Sequence, residues 1–547
     1  MAKPRLSKRK YRDLAAELTD VLKQNLRLAR ALPEFFRSRI TVAQAEEEIK
    51  KALESREERF LELIRTRIYQ CPDSPYLRLL KMSGCEFSDF RAQVQRRGLE
   101  AALEDLAGAG VYLTAGEFKG KTEVRRGRES FRVSPSDFQK PNSAASPGLA
   151  TRSSGTNNVP TRTILPLDRI AVRALEAGVF FSAHGLLDKS HAIYDAILPA
   201  AGGVTNLLVN AKLGIATDRW FAREVPVGSY VGQWYQYLST YLIVLAGKWY
   251  GPGFPRPEFV DIRDVGCIVR WVSDQRLRGR SCCIKAAASN ATRIAQAARE
   301  MGISLEGTKF IVTGEPFTES KREVIQRTGA SATIRYSYSG GGTVGNGCAN
   351  PLHIDEIHTN KHVFAVVTHP ADSNRDGPPI RPLLFTTLLG VNPRLLLNVE
   401  NGDYGILEER NCGCALGRVG LTQHLHRIRS YEKFTSEGMN YFYGDLFEIF
   451  EKTLPSEFGG GPGDYQLVEE EDDRGQTRLT LRVHPDVANL DPSVLLRRLQ
   501  EELAKGSRGK EFQTKLWQDA GTIRIRWEAP HSSARGKILP LHILRSS

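Results

Sequence analysis

Between Phe310 and Tyr338 the chain reads as a strand, a helix and a second strand, and no other stretch constrains the fold as much. The apolar run Phe310-Ile-Val is followed by Thr318, a residue suited to cap a helix, and by a helical pattern through Val324 and Ile325 that stops at Gly329. Ile334, Tyr336 and Tyr338 then alternate with polar residues as in a strand. Such a unit implies two parallel strands with a right-handed crossover, and open sheets of this kind bind ligands beyond the carboxyl ends of their strands. Gly314-Glu315-Pro316 and Ser339-Gly340-Gly341-Gly342 fall at those ends. Upstream, Ile294, Ala297, Ala298 and Met301 share one helix face.

An α/β region is therefore expected from Thr161 to about Leu425, where apolar segments alternate with Gly and Pro breaks. With 547 residues the chain exceeds what one core usually supports, so flanking domains are expected. From Ser7 to about Leu106 apolar positions recur with helical period beside charged faces, as in Ala43-Gln-Ala-Glu-Glu-Glu-Ile-Lys-Lys-Ala-Leu. A polar stretch between Glu117 and Leu149 reads as hairpin and linker. Beyond Arg429, Tyr465-Gln-Leu-Val and Thr477-Arg-Leu-Thr-Leu-Arg-Val flank a turn containing Asp473-Arg-Gly. With a helix around Val494 to Leu503 and the strand Thr522-Ile-Arg-Ile-Arg-Trp, they predict a small α+β domain of about 120 residues. The expected organisation is a helical region and linker over 1–140, a large α/β domain over 141–428 and a mobile α+β lid over 429–547.

Apolar residues at 41% and charged residues at 25% are ordinary for a globular chain. The formal charge of +13 would suit nucleic acid, but no basic block interleaved with aromatics follows the first ten residues, so no nucleic-acid partner is expected. No run of about eighteen apolar residues predicts a membrane span, and the start carries no apolar signal core, which points to the cytoplasm. There the eight cysteines read as metal ligands or packing, not as a disulfide framework.

Thr151-Arg-Ser153-Ser154-Gly155-Thr156-Asn-Asn offers hydroxyls and backbone N–H groups that could wrap phosphate oxygens, although such clusters are commonly surface loops. Asn401-Gly402-Asp403 reads as a hairpin turn, a placement compatible with a binding role for its carboxylate. Cys412-Gly-Cys414 is a compact thiol pair, and Cys348, His353 and His358 fall in the same region. Three sulfurs and one histidine suit tetrahedral zinc, whereas small buried thiols without metal are frequent too. Cys282-Cys283 reads as packing.

Taken in order, these motifs resemble those of the phenylacetate–CoA ligase family of acyl-adenylate-forming enzymes. Ser153-Ser154-Gly155-Thr156 resembles the family's Ser-Ser-Gly-Thr-Thr-Gly phosphate loop, with Asn157-Asn158 in place of Thr-Gly. Gly314-Glu315-Pro316 and Tyr336-Ser-Tyr-Ser339 resemble its Gly-Ala/Glu-Pro and Tyr-Gly-Leu-Ser-Glu segments, but Gly340 replaces the Glu. Asn401-Gly-Asp403 is similar to Thr-Gly-Asp, and Ile428-Arg429-Ser430 and Gly438-Met-Asn resemble Gly-Arg-Ser-Asp-Asp and Arg-Gly-Val-Asn, with Tyr431-Glu432 replacing the Asp pair. Gly536-Lys537 resembles the final Gly-Lys, and the resemblance spans roughly Pro75 to Ile543.

The resemblance implies an α/β adenylate-forming domain with a C-terminal lid, acting on ATP, Mg²⁺ and a carboxylic acid to give acyl-AMP and pyrophosphate, then on a thiol, most often that of CoA. It assigns nucleotide contacts to the 153–156 loop, Gly314, Glu315, Pro316, Tyr336, Ser339, Asp403 and Arg429. Lys537 would bridge the substrate carboxylate and the α-phosphate. Some members carry a structural zinc on Cys, His and Cys-x-Cys-Gly; Cys348, His358, Cys412 and Cys414 match that register, with His353 the alternative histidine. Tyr230-Val-Gly-Gln-Trp-Tyr-Gln-Tyr would suit an aryl or long apolar acid, or else pack in a core. Gly340 leaves a non-catalytic nucleotide-binding member as one alternative; transfer to a carrier-protein thiol or an amine is another. The N-terminal helices would pack on the large domain or mediate self-association, as in a homodimer.

Overall fold

A computed structural model describes residues 8–139, 146–152, 162–198, 200–223, 234–338, 342–369, 381–392, 394–431, 433–436, 439–442, 446, 448–461, 463–487, 491–505, 508–531 and 541–543. Its centre is a twelve-stranded sheet. From one edge the order is Phe364–Thr368, Pro382–Thr387, Val399–Glu409, Gln423–Ser430, Ile357–Thr359, Gly342–Gly347, Ser331–Tyr338, Lys309–Thr313, Cys282–Ala287, Ser190–Tyr194, Thr217–Arg223 and Pro257–Val260. The last six run parallel. The other six pair antiparallel, so one half is crossover-built and the other a meander.

The unit read at Phe310 to Tyr338 lies at the junction of the two halves. Thr318 accepts a hydrogen bond from the Lys321 N–H and opens the helix Glu319–Gln326, and Gly329, at a φ of 81°, turns the chain into Ser331–Tyr338. Lys309–Thr313 and Ser331–Tyr338 are parallel neighbours whose carboxyl ends lead to Gly314 and to the 339–341 segment. Of the upstream helix face, Ile294 and Ala298 are buried, whereas Met301 lies past the end of Ala288–Glu300 and is exposed.

Alternate residues of the parallel strands feed separate cores, because successive side chains point to opposite faces. Ala192 and Tyr194 pack on one face and Ile193 on the other; Phe221 is on the first, Trp220 and Ala222 on the second. The N-terminal helices contribute to both. Phe60, Phe90 and Leu103 join Phe364 and Leu384, while Leu28, Phe35 and Ile49 join Phe180 and Trp220. Helix Val42–Glu54 starts in a capping box between Thr41 and Gln44. Cys282 and Cys283 are fully buried, one on each face.

The C-terminal unit is a four-stranded sheet in the order Ile523–Trp527, Thr477–Val483, Tyr465–Glu471, Leu541–Ile543, covered by helices Pro492–Ala504 and Arg508–Ala520. Leu467, Leu481, Leu495, Leu499 and Trp517 form its own core. Its hairpin touches the large unit beside the crossover helix. The Thr318 hydroxyl donates to Glu471 at 2.8 Å, Lys321 bonds the same carboxylate, and Gln476 donates to the Thr292 hydroxyl at 2.6 Å. Among the described residues no helix is long and apolar enough to cross a membrane.

Candidate active site and metal centre

Asn401-Gly402-Asp403 lies inside the strand Val399–Glu409 and is not a hairpin turn. Gly402 has a φ of 85°, and the pairing shifts between Tyr404 and Ile406, so the glycine marks an irregular strand that locally resembles a turn signal. Asp403 faces Ser430 across the ladder and is 5% exposed.

Three side chains converge on this carboxylate. The Tyr336 hydroxyl donates to Oδ2 at 2.7 Å, Asn401 Nδ2 to the same oxygen at 2.7 Å, and the Ser430 hydroxyl to Oδ1 at 2.5 Å. Asn401 also donates to the Tyr336 oxygen at 2.8 Å. Burial, and then the Asp403 charge, push the Tyr336 phenol well above its usual range, so it stays a donor. The result is a buried carboxylate held in place at the carboxyl end of Ser331–Tyr338.

Arg429 belongs to a different grouping. It pairs in register with Tyr404, so its side chain leaves the sheet on the face opposite to Ser430 and Asp403. There it donates to Asp355 Oδ2 at 2.9 Å, and Asp355 also accepts the N–H groups of Arg427 and Ile428, both at 2.9 Å. Arg427 sits at a φ of 52°, uncommon for a side-chain-bearing residue, just where the chain leaves the large unit. Glu315 is engaged as a helix cap: its carboxylate accepts from the Ser289 N–H at 2.9 Å and the Ser289 hydroxyl at 2.8 Å, at the start of Ala288–Glu300. Gly314 before it adopts a φ of 82°.

Ser153, Ser154, Gly155, Thr156, Ser339, Gly340 and Lys537 lie outside the described residues. Of the aromatic segment beginning at Tyr230, the described side chain is Tyr237, which is half-buried.

The donor atoms of Cys348, His358, Cys412 and Cys414 all lie within 4.8 Å of one another. His358 Nε2 is 3.4 Å from the Cys412 sulfur and 3.2 Å from that of Cys414. Its Nδ1 lies 2.5 Å from the Leu421 carbonyl, which fixes the proton there and leaves the Nε2 lone pair toward the sulfurs. Gly413 has a φ of 72°, which lets Cys412-Gly-Cys414 curl so that both thiols face one point. A hydrogen bond to Cys414, together with burial, raises the Cys348 thiol, and the same bond lowers that of Cys414. His353 is elsewhere: its ring stacks on His426 with centroids 3.9 Å apart.

A second layer backs this cluster. Glu356 lies 2.5 Å from His424 Nδ1, accepts from the Leu352 N–H at 2.6 Å, and pairs with Arg410. Burial pushes its carboxyl up, but these donors bring it down to about 2. The His424 ring packs 4.1 Å from that of His358.

Asn401 and Ser430 fall inside recognised motifs without a role assigned to them, and Asp355 falls in none. Asp355 reaches Arg429 across 74 residues with no local pattern to announce it.

No family model and no curated protein matches the sequence. Solved structures are similar at low scores. A mutant of the amide bond synthetase Mcba from Marinactinospora thermotolerans has 12% identity and a TM-score of 0.38, covering 85% of this chain and 91% of its own. The McyG A-PCP structure complexed with phenylalanyl-adenylate has 12% identity and a TM-score of 0.34 over 75% of this chain and 66% of its own, just under two thirds. O-succinylbenzoate coenzyme A synthetase (MenE) from Bacillus subtilis, in complex with ATP and magnesium, has 11% identity and a TM-score of 0.33, covering 72% and 68%. Likenesses this weak say nothing of what this chain binds or makes.

Proposed function

We propose that the chain activates a carboxylic acid with ATP, forming acyl-AMP and releasing pyrophosphate, and then passes the acyl group to a thiol, in the first instance that of CoA. The family resemblance supplies the reading. The observation that carries it is the convergence of two separated motifs on the carboxylate of a third: Tyr336 and Ser430 both donate to Asp403, beside its motif neighbour Asn401.

In this reading Asp403 takes the ribose hydroxyls of ATP as their acceptor, held by Tyr336 and Ser430 so that it is in place before nucleotide arrives. The acid's carboxylate oxygen attacks the α-phosphorus, the bond to the bridging oxygen breaks, and pyrophosphate departs. Lys537 opposes the repulsion between the two anions as they approach. Mg²⁺ accompanies ATP; Gly340 supplies it no carboxylate. Arg429, pinned by Asp355, serves the junction between the units.

Cys348, His358, Cys412 and Cys414 would hold zinc. A tetrahedral ion with sulfur at about 2.3 Å and nitrogen at about 2.0 Å places its ligands roughly 3.5 Å apart, and the observed His358–sulfur distances are 3.2 and 3.4 Å. Glu409 lies six residues, roughly 20 Å of strand, from Asp403, and the cysteine pair follows it, so this ion would be structural.

The test is carboxylate-dependent pyrophosphate release from MgATP over a panel of aryl and fatty acids, with Lys537→Ala and Asp403→Ala as controls. Release with one acid class, lost in both variants, supports the reading. ATP binding with no release from any acid turns the assignment to a non-catalytic nucleotide-binding protein.

A further inference from the structure

Among the described residues, the helix Trp234–Tyr250 is docked by one face and exposed on the other. Thr240, Ile243 and Val244 are buried, and the Phe254 ring lies so close to Gly247 that a Cβ there would fall 2.2 Å from it. On the outer face Leu238, Tyr241, Leu242, Leu245 and Trp249 are 41–70% exposed. Their spacing of three, one, three and four residues puts all five on a single helical stripe. Together they expose apolar surface on the order of several hundred Å², the size at which a patch on a soluble protein marks an interaction site.

Basic residues frame this stripe. The N-terminal helix Lys8–Arg37 runs parallel beside it: Asn25 donates to the Ser239 hydroxyl at 2.8 Å, and Phe36 meets Phe254 with ring centroids 5.6 Å apart. Its own exposed Leu26 stands between Lys23 and Arg30, three residues before and four after on the same face, with Arg27 adjacent. Lys248 is exposed on the far flank of the stripe. Leucines in the middle, Trp and Tyr among them, and Lys and Arg at the edges are the composition of a helix that lies in the headgroup region of a bilayer.

We propose that this face seats the protein on an anionic lipid surface, with the Trp234–Tyr250 stripe in the interface and Lys23, Arg30 and Lys248 at the lipid headgroups. Charge decides between this occupant and a second copy of the chain. A two-fold dimer through the stripe would bring the basic rims of both copies toward each other, whereas an anionic surface supplies the opposite charge to all of them. The inference does not depend on the adenylate reading, since its readout is binding.

The experiment is co-sedimentation of the full chain with vesicles of phosphatidylcholine containing one third phosphatidylglycerol, beside vesicles of phosphatidylcholine alone. The chain is expected to pellet with the anionic vesicles and to be released by salt. Leu242→Glu with Leu245→Glu should weaken pelleting at least tenfold, and Lys23→Glu with Arg30→Glu should weaken it and flatten its salt dependence. Melting temperatures of these surface variants should match that of the parent chain. Absence of pelleting with anionic vesicles, or pelleting unchanged by Leu242→Glu with Leu245→Glu, overturns the proposal. So does a dimer in solution that the same pair of substitutions dissociates, because that gives the stripe to a second copy.

Discussion

The phenol of Tyr336 and the carboxylate of Asp403 are joined by a 2.7 Å hydrogen bond that ties the end of one strand to the middle of another 67 residues away. Asp403→Asn keeps the shape of the side chain and removes the charge that makes it the stronger acceptor. Nucleotide affinity, read by calorimetry, is expected to fall about tenfold, or ~1.4 kcal/mol. Tyr336→Phe leaves Asn401 and Ser430 on the carboxylate, so a smaller loss of about 1 kcal/mol is expected. An Asp403→Asn chain that binds ATP as well as the parent removes Asp403 from the nucleotide site.

Protein purified without chelator should carry one equivalent of zinc by elemental mass spectrometry. Cys412→Ser or His358→Ala should abolish it and lower the melting temperature by several degrees, since a structural ion stabilises the folded chain directly. His353→Ala should retain the metal, because that ring stacks on His426 away from the sulfurs. Loss of zinc in His353→Ala would assign the ligand to the wrong histidine.

Two buried histidines predict an acid-sensitive fold. Burial holds His191 down to about 4 and His362 down to about 3, and both are at most 2% exposed. The unfolded chain takes up a proton at each near pH 6.5, whereas the folded chain stays neutral. Stability is therefore complete above that pH and is lost as pH falls toward the folded values, by ~1.4 kcal/mol per pH unit per histidine. Denaturant melts at pH 7.5, 6 and 5 should show this decline. His191→Gln, which preserves a donor toward the Leu186 carbonyl, should flatten part of it.

Lys321 is 1% exposed and its ammonium is shared between Glu471 and Thr477 of the C-terminal hairpin. Glu471→Ala leaves a buried cation without its counter-charge, a change worth about 3 kcal/mol or more in comparable pairs. Faster proteolysis near residue 431 is expected, with the C-terminal core around Trp517 left intact. Cleavage at the parent rate would show that this pair does not hold the units together.

Local signals carried much of the fold. The Thr318 cap, the Gly329 stop and the alternation of Ile334, Tyr336 and Tyr338 each depend on a few neighbouring residues, and the same holds for the hairpin around Asp473. The antiparallel half was less legible, because its pairing is decided by partners far along the chain. Gly402 carries the backbone signature of a turn, yet pairing with the 382–387 and 423–430 strands keeps it in a strand. Glu315 and Arg429 show the same limit from another side. The resemblance assigns each to the nucleotide, and each is bonded to a group that only folding brings near, the Ser289 amide for one and Asp355 for the other.

Gln24 fastens the N-terminal helix to the start of a strand more than a hundred residues away. Its amide, 3% exposed, donates to the Ser146 carbonyl at 3.0 Å and to the Gly148 carbonyl at 3.1 Å, where the chain enters the strand Gly148–Arg152 that runs up to the hydroxyl-rich stretch. The helix Lys8–Arg37 thus acts as a foundation for that strand. Trimming the first forty residues would take that support away from the strand Gly148–Arg152.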